Sequence, residues 1–191
     1  DDVNRLDRLI TDISDSSRLD AELNRETFEA IDIKRLLLAF HELRKFQKRF
    51  EQKLLTINIR KDENQPLIFG HEGRIVQVID NIVDNAVSFA PTNSKINITL
   101  CANTTNVKIT IDDEGPGIPK NKLDSIFERF YSERPPAEKF GLHSGLGLSI
   151  CKQIVEAHNG KIFAKNRTDY RNDIRGARFI ITLPIMNKSK V

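Results

Sequence analysis

Residues 112–118 read Asp-Asp-Glu-Gly-Pro-Gly-Ile and follow directly on an alternating apolar run. Gly115 and Gly117, two positions apart, let the backbone take positive φ and approach a flat ligand closely. The carboxylate of Asp113, at the end of a strand, can accept a hydrogen bond from an exocyclic amine. That contact tells an enclosed adenine from a guanine. A plain turn that uses Asp and Gly for geometry alone fits the same residues.

Three further segments carry polar or glycine patterns with a chemical use. Residues 145–150, Gly-Leu-Gly-Leu-Ser-Ile, form a glycine-rich turn that opens a helix. First-turn amides are unpaired and the macrodipole adds positive potential, so such a tip suits phosphate oxygens; tight packing on a sheet is the bland alternative. Residues 80–86, Asp-Asn-Ile-Val-Asp-Asn-Ala, lie inside a helical pattern. Asn81 and Asn85 are four apart and share one face, although asparagine is a poor helix-interior residue. A side-chain carbonyl there can coordinate Mg²⁺ held by ATP phosphates, or the face can simply be solvated. Residues 126–131, Ile-Phe-Glu-Arg-Phe-Tyr, supply aromatics that can pin a loop or merely fill a core.

The elements that must position these groups follow from periodicity. Residues 1–23 place Val3, Leu6, Ile10 and Ile13 at heptad-like spacing, the seam of a helix that needs a helical partner. The pattern breaks at 24–26, the expected domain boundary, and a short strand is expected over 27–33 with Phe28 and Ile31 buried. Helices are expected over 34–52, 72–89 and 146–158, and one short helix over 123–130. Strands are expected over 54–59, 67–69, 95–101, 106–112, 161–165 and 177–183. Residues 115–145 otherwise read as a long loop, and loops of that length inside a domain are usually functional. The order of elements implies an α/β fold: a two-layer sandwich of a mixed sheet with helices on one face.

Composition narrows the classes. The 191 residues suffice for one domain plus a short appendage, and a formal net charge of +3 gives no argument for nucleic-acid binding. No apolar run approaches the roughly 20 residues a membrane span requires. The chain opens on two aspartates within a helical pattern, so we expect a fragment whose parent spans a membrane elsewhere. Cys101 and Cys151 lack metal-ligand spacing and are expected to be core thiols. His71 precedes a helix and His158 ends one, where dipole and capping roles suffice.

In this order, the four segments resemble the N, G1, F and G2 boxes of sensor histidine kinases, from about residue 30 onward. The resemblance implies the Bergerat ATP-binding fold shared with gyrase-type and Hsp90-type ATPases. It makes residues 1–23 the end of the second helix of a dimerisation and phosphoacceptor domain. Residues 24–191 become the catalytic domain, with an ATP lid over 119–144. It implies ATP and Mg²⁺ as cofactors, with Asn85 on the metal and Asn81 and Asn85 as the catalytic pair. Asp113 would read the adenine amino group, Gly115 and Gly117 would line the base pocket, and Gly145 and Gly147 would receive phosphates. Phe89, Ile118, Tyr131, Ser144, Leu146 and Leu148 complete the nucleotide-binding set. The implied partners are the dimerisation domain of the same kinase and a cognate response regulator, in a homodimeric full-length protein. The implied location is the cytoplasmic portion of an inner-membrane sensor kinase. Residues 85–91 with 143–147 are similar to ChvG-type sensors of alphaproteobacteria.

Three departures qualify what the resemblance implies. Ser88 stands where many members carry a lysine, leaving Arg129, Arg134 or Lys139 to supply a cation. His143 replaces a glycine common at the start of the last box. The phosphoacceptor box is missing: His41-Glu42-Leu43-Arg44 imitates its opening but continues Lys45-Phe46. In the ATP-hydrolysing relatives a glutamate stands at the place of Asn81, and an amide cannot act as that base. The expectation is a domain that binds ATP, hydrolyses it slowly at most and does not phosphorylate itself. A related ATPase or serine kinase of the same fold, and a degenerate docking module, are the rival readings.

Overall fold

The computed structural model describes residues 27–44, 54–59, 67–131 and 145–186. The expected helix over 1–23, the second half of the helix over 34–52 and lid residues 132–144 lie outside them.

The chain runs β1 (Glu29–Asp32), α1 (Ile33–Arg44), β2 (Leu54–Ile59), β3 (Leu67–Gly70), α2 (Glu72–Phe89), β4 (Lys95–Ala102), β5 (Asn106–Asp112), α3 (Gly147–Ala157), β6 (Lys161–Thr168) and β7 (Ile174–Pro184). Five strands form one sheet in the order β2-β4-β5-β7-β6, and β1 pairs with β3 apart from it. β2 lies parallel to β4 while the other pairings are antiparallel, so the sheet is mixed.

Alternation sets which face is covered. Ile98 stands opposite Ile111, Leu100 opposite Ile109, and Ile109 and Ile111 in turn oppose Ile181 and Phe179. All six are buried, as are Ile75, Val78, Ile79, Ile82, Val83 and Ala86 along one stripe of α2. Ile150, Cys151, Ile154 and Val155 of α3 and Leu36, Leu37 and Phe40 of α1 complete the same core. Each such side chain taken from water contributes about 1.5–3 kcal/mol. The partners one step along the strands, Thr99 opposite Thr110 and Lys108 opposite Thr182, belong to the other face. The result is the two-layer sandwich expected from the sequence, with helices on one side.

Local signals explain the helix ends. Asp32 caps α1 by accepting from the Arg35 amide at 3.0 Å. His71 caps α2, its ring accepting from the Arg74 amide, and Pro91 stops the helix just beyond Ala90. Asn159, at φ 55°, turns the chain after α3, and Gly160 donates back to the Val155 carbonyl at 2.8 Å. β4 and β5 are joined by an Asx turn in which the Asn103 carboxamide accepts from the amides of Thr105 and Asn106.

Several expectations need correction. The helix expected over 123–130 is instead two 3-10 turns, Lys120–Lys122 and Ser125–Phe127. Glu128 is extended and Phe130 has φ 64°, so helix cannot propagate, while Ile126 and Phe127 are driven inward by burial. Helix α1 begins at Ile33, which periodicity alone places in the first strand. Strands β6 and β7 extend further toward each other, to Thr168 and from Ile174. Phe28 is only half-buried; it meets Phe69 edge-on and stacks on His158 at 4.8 Å. Cys151 is buried, but Cys101 is half-exposed because it pairs with Lys108 on the face turned from the helices. His41 is a plain helix residue whose Nε2 lies 3.1 Å from the Leu55 carbonyl.

Candidate functional site

Helix α2 carries the polar face from which the site is built. Its apolar stripe faces the sheet, leaving Asn81, Asn85 and Phe89, spaced four apart, on a second stripe. At a rise of about 1.5 Å per residue, these three span about 12 Å of helix. Asp80 beside them is held by an ion pair to Arg44 of α1.

One end of this stripe meets the start of α3. Asn81 Nδ2 donates to the Gly147 carbonyl at 3.4 Å. A Cβ on Gly147 would lie 3.8 Å from Asn81 Cγ, ordinary contact, so packing against Asn81 does not demand glycine there. Leu146 stands at the N-cap of α3 and offers no side-chain cap. First-turn amides at such a helix start carry the positive potential that favours anions. A little deeper, the buried Cys151 thiol lies 3.7 Å from the Val78 carbonyl and within reach of Asn81. Burial pushes this thiol up to about 12, outweighing the lowering by the Asn81 side chain and its own backbone amide, so it stays protonated and inert.

The other end meets the loop after β5. Asp113 is buried, and its Oδ1 accepts from the amides of Gly115 at 2.8 Å and Ala177 at 3.0 Å. Neither bond uses Oδ2. Burial raises its carboxyl above the usual value of 3.8, against the lowering by the Ala177 and Gly115 amides and the Arg167 charge. A Cβ on Gly115 would approach the Phe89 carbonyl to 3.2 Å and Asp113 Oδ1 to 3.0 Å, so this loop packs tightly on the end of α2. Gly117 has φ +79°, and a Cβ there would strike Ile174 and Asn166. The base of the loop is fastened below by Arg178, whose guanidinium grips Asp112 through two bonds of 2.6 Å.

Residues 130–131 and Gly145, on either side of residues 132–144, lie next to each other. Gly145 has φ +74°, and a Cβ on it would lie 2.7 Å from the Tyr131 carbonyl and 3.0 Å from the Phe130 carbonyl carbon. Arg129, just before Phe130, is exposed. Ser144, Arg134, Lys139 and His143 lie outside the described residues.

The structure thus gathers Asn81, Asn85 and Phe89 along α2, Asp113, Gly115 and Gly117 at one end, and Gly147 at the other. Ile118 closes the loop through Asn166, and Tyr131, Leu146 and Leu148 all pack against the one hydrophobic core. Sequence patterns do not single out Asn166, Arg167, Arg178 or Gly176. Their contacts reach back more than 40 residues along the chain, and none is an apolar position of a periodic run or part of a glycine-rich motif.

Among the described residues, no group of three or more His, Cys, Asp or Glu side chains could hold a metal ion. A hard cation takes oxygen ligands, which phosphate, water and a side-chain carboxamide can all supply. Asn85 offers such an oxygen donor.

This sandwich and its residues define the class. The chain belongs to the family of histidine kinase-, DNA gyrase B-, and HSP90-like ATPases, whose model matches residues 70–187. Within that family its relatives are sensor histidine kinases, and it is an ATP-binding catalytic domain of their kind. It is 44% identical over 189 residues to sensor protein ChvG of Rhizobium meliloti (strain 1021), covering 96% of this chain and 33% of that protein. Sensor protein ChvG of Agrobacterium fabrum (strain C58) is 42% identical, covering 96% of this chain and 32% of that protein. The chain therefore spans about a third of the length of these relatives. The histidine kinase ThkA, solved in complex with the response regulator protein TrrA, superposes with a TM-score of 0.72 at 27% identity. That match covers 96% of this chain and 49% of ThkA.

Proposed function

We propose that this chain holds Mg-ATP and donates the γ-phosphate to a histidine on a dimerisation domain, for relay to a response-regulator aspartate. The reading rests on one geometric relation: a single stripe of α2 that abuts the α3 tip at Asn81 and the Asp113 loop at Phe89. In this reading the base lies against the loop, with Asp113 accepting from the adenine amine and Gly115, Gly117, Ile118, Phe89 and Tyr131 around the ring. The phosphates lie at residues 145–148, where Gly145 and Gly147 leave room beside the helix tip and Leu146 and Leu148 flank them. Ser144 belongs to the same segment.

Asn85 supplies its carboxamide oxygen to Mg²⁺, which neutralises phosphate charge when bound. Asn81 positions the phosphate end through its bond to Gly147 and does not activate water, because an amide is no base. Catalysis then depends on placement and charge neutralisation, as phosphoryl transfer generally does. Arg129 is the described candidate for the cation that Ser88 does not supply.

Residues 1–23 are, in this proposal, the end of the dimerisation domain of a homodimeric kinase, and 24–191 the catalytic domain with its lid at 119–144. Its place is the cytoplasmic portion of an inner-membrane sensor. No described helix is long and apolar enough to cross a membrane. The similarity to ThkA, a kinase captured with a response regulator, supports the choice of a regulator as partner.

Titration with a fluorescent ATP analogue tests the proposal. Mg-dependent binding is expected, lost in Asp113→Ala with the far-ultraviolet spectrum unchanged. Binding that persists in that variant overturns the base assignment. Acid-labile radiolabel on this chain alone after incubation with ATP contradicts the expectation that it lacks its own acceptor.

A further inference from the structure

We infer that Asn166 is a positioning residue for the base-reading loop, acting through Ile118 to hold Asp113 and its neighbours at the distance purine recognition requires. The inference deepens the proposed function and rests on it. Asn166 lies on edge strand β6, outside every glycine-rich or helical motif of the chain. Its Oδ1 accepts from the Ile118 amide at 2.7 Å and its Nδ2 donates to the Ile118 carbonyl at 2.6 Å. One carboxamide thus satisfies both main-chain groups of a loop residue, as a neighbouring strand would. A serine or an aspartate of similar reach offers only part of that donor and acceptor pair.

The next residue grips the opposite end of the loop. Arg167 donates from Nη1 to the Asp113 main-chain carbonyl. Consecutive β6 residues therefore fasten residues 118 and 113, the two ends of the loop that carries Gly115 and Gly117. A bulge makes room for this grip. Asn166 pairs with Ala177 and Thr168 with Ile174, so Arg175 and Gly176 of β7 stand opposite the single Arg167. Gly176 has φ +132°, and a Cβ on it would run into the Asp113 carbonyl oxygen.

A hydrogen bond that discriminates one purine from another weakens steeply with displacement. Freeing Ile118 should therefore degrade recognition of the base and leave recognition of the phosphates alone. The test is calorimetric titration of the full chain with Mg-ATP, Mg-GTP and Mg-tripolyphosphate, for wild type, Asn166→Ala and Asn166→Asp, with thermal melts alongside. Asn166→Ala should weaken ATP about tenfold, the worth of one well-placed hydrogen bond, and narrow the preference for ATP over GTP. Tripolyphosphate affinity should not change. Asn166→Asp, which keeps one acceptor but faces the Ile118 carbonyl with a second, should weaken ATP at least as much. Unchanged ATP affinity in both variants overturns the inference, as does an equal loss for all three ligands or loss of folding in both. Failure of the wild type to bind ATP instead overturns the proposed function, a distinct result.

Discussion

Asn81 of α2 donates to the carbonyl of Gly147 at the first residue of α3, joining two segments 66 positions apart. The bond sets how the polar stripe of α2 meets the helix tip, and so fixes where phosphates would stand relative to Asn85.

Gly147→Ala separates folding from binding. Its Cβ would find ordinary contacts and its φ is not in the left-handed region, so the fold tolerates the change. Less backbone freedom in the unfolded chain should leave stability unchanged or raised by about 0.4–1 kcal/mol. A methyl group at the phosphate end should nonetheless weaken Mg-ATP tenfold or more, on the order of 1.4 kcal/mol. A denaturant melt and a titration on the same sample check both halves.

Gly176→Ala should instead lower stability and binding together. Its φ of +132° and the close Asp113 carbonyl leave no room for a Cβ, so the β7 bulge must distort. Strain of this kind costs about 1–3 kcal/mol, and the loss of ATP binding should follow from displacement of Asp113. Urea unfolding with and without nucleotide reads both effects.

Asp113 gives the chain a pH signature. Its folded carboxyl titrates above the ordinary value of 3.8, chiefly through burial. For this one group, stability is greatest below the unfolded value and is lost as pH rises through the folded one, because the folded state holds the proton more tightly. Binding runs the other way, since the protonated acid no longer offers the amine a carboxylate. Nucleotide affinity should therefore fall on acidification sooner than an ordinary aspartate would cause. Asp113→Asn should abolish ATP binding and melt higher than wild type at neutral pH, with the gap closing toward pH 3.8.

The two cysteines should differ in reactivity. Cys151 is buried and its thiol is pushed up to about 12, whereas Cys101 is half-exposed. A chromogenic disulfide reagent at mildly alkaline pH should titrate one thiol rapidly in the folded chain and the second only on unfolding. Rapid reaction of both would contradict the packing at Val78 and Asn81.

Much of this architecture can be read from residue pattern. The apolar stripe of α2, its start after His71 and its end before Pro91 follow from helical period and chain chemistry, and the structure reproduces 72–89. Pairing of β4 with β5 follows from two alternating runs across a polar turn. Glycines 115, 117 and 145 announce close backbone approach through spacing alone, whereas Gly147 has only ordinary contacts around it. Patterns fail where tertiary contact overrides local preference. Ile126 and Phe127 read as helix but are pulled inward by two short turns, and Cys101 reads as core although its strand face is uncovered. The Asn166 grip on Ile118 spans 48 positions and obeys no period, so no local signal reveals it.

The most direct test of the central claim is a nuclear magnetic resonance titration of the isotopically labelled chain with Mg-ATP. Amide shifts at Asn85, Gly115, Gly147 and Ala177 should move together along one saturation curve, because a single ligand occupies the whole stripe. Shifts at Gly147 that leave Gly115 and Ala177 unmoved, or that saturate at a different concentration, would contradict it.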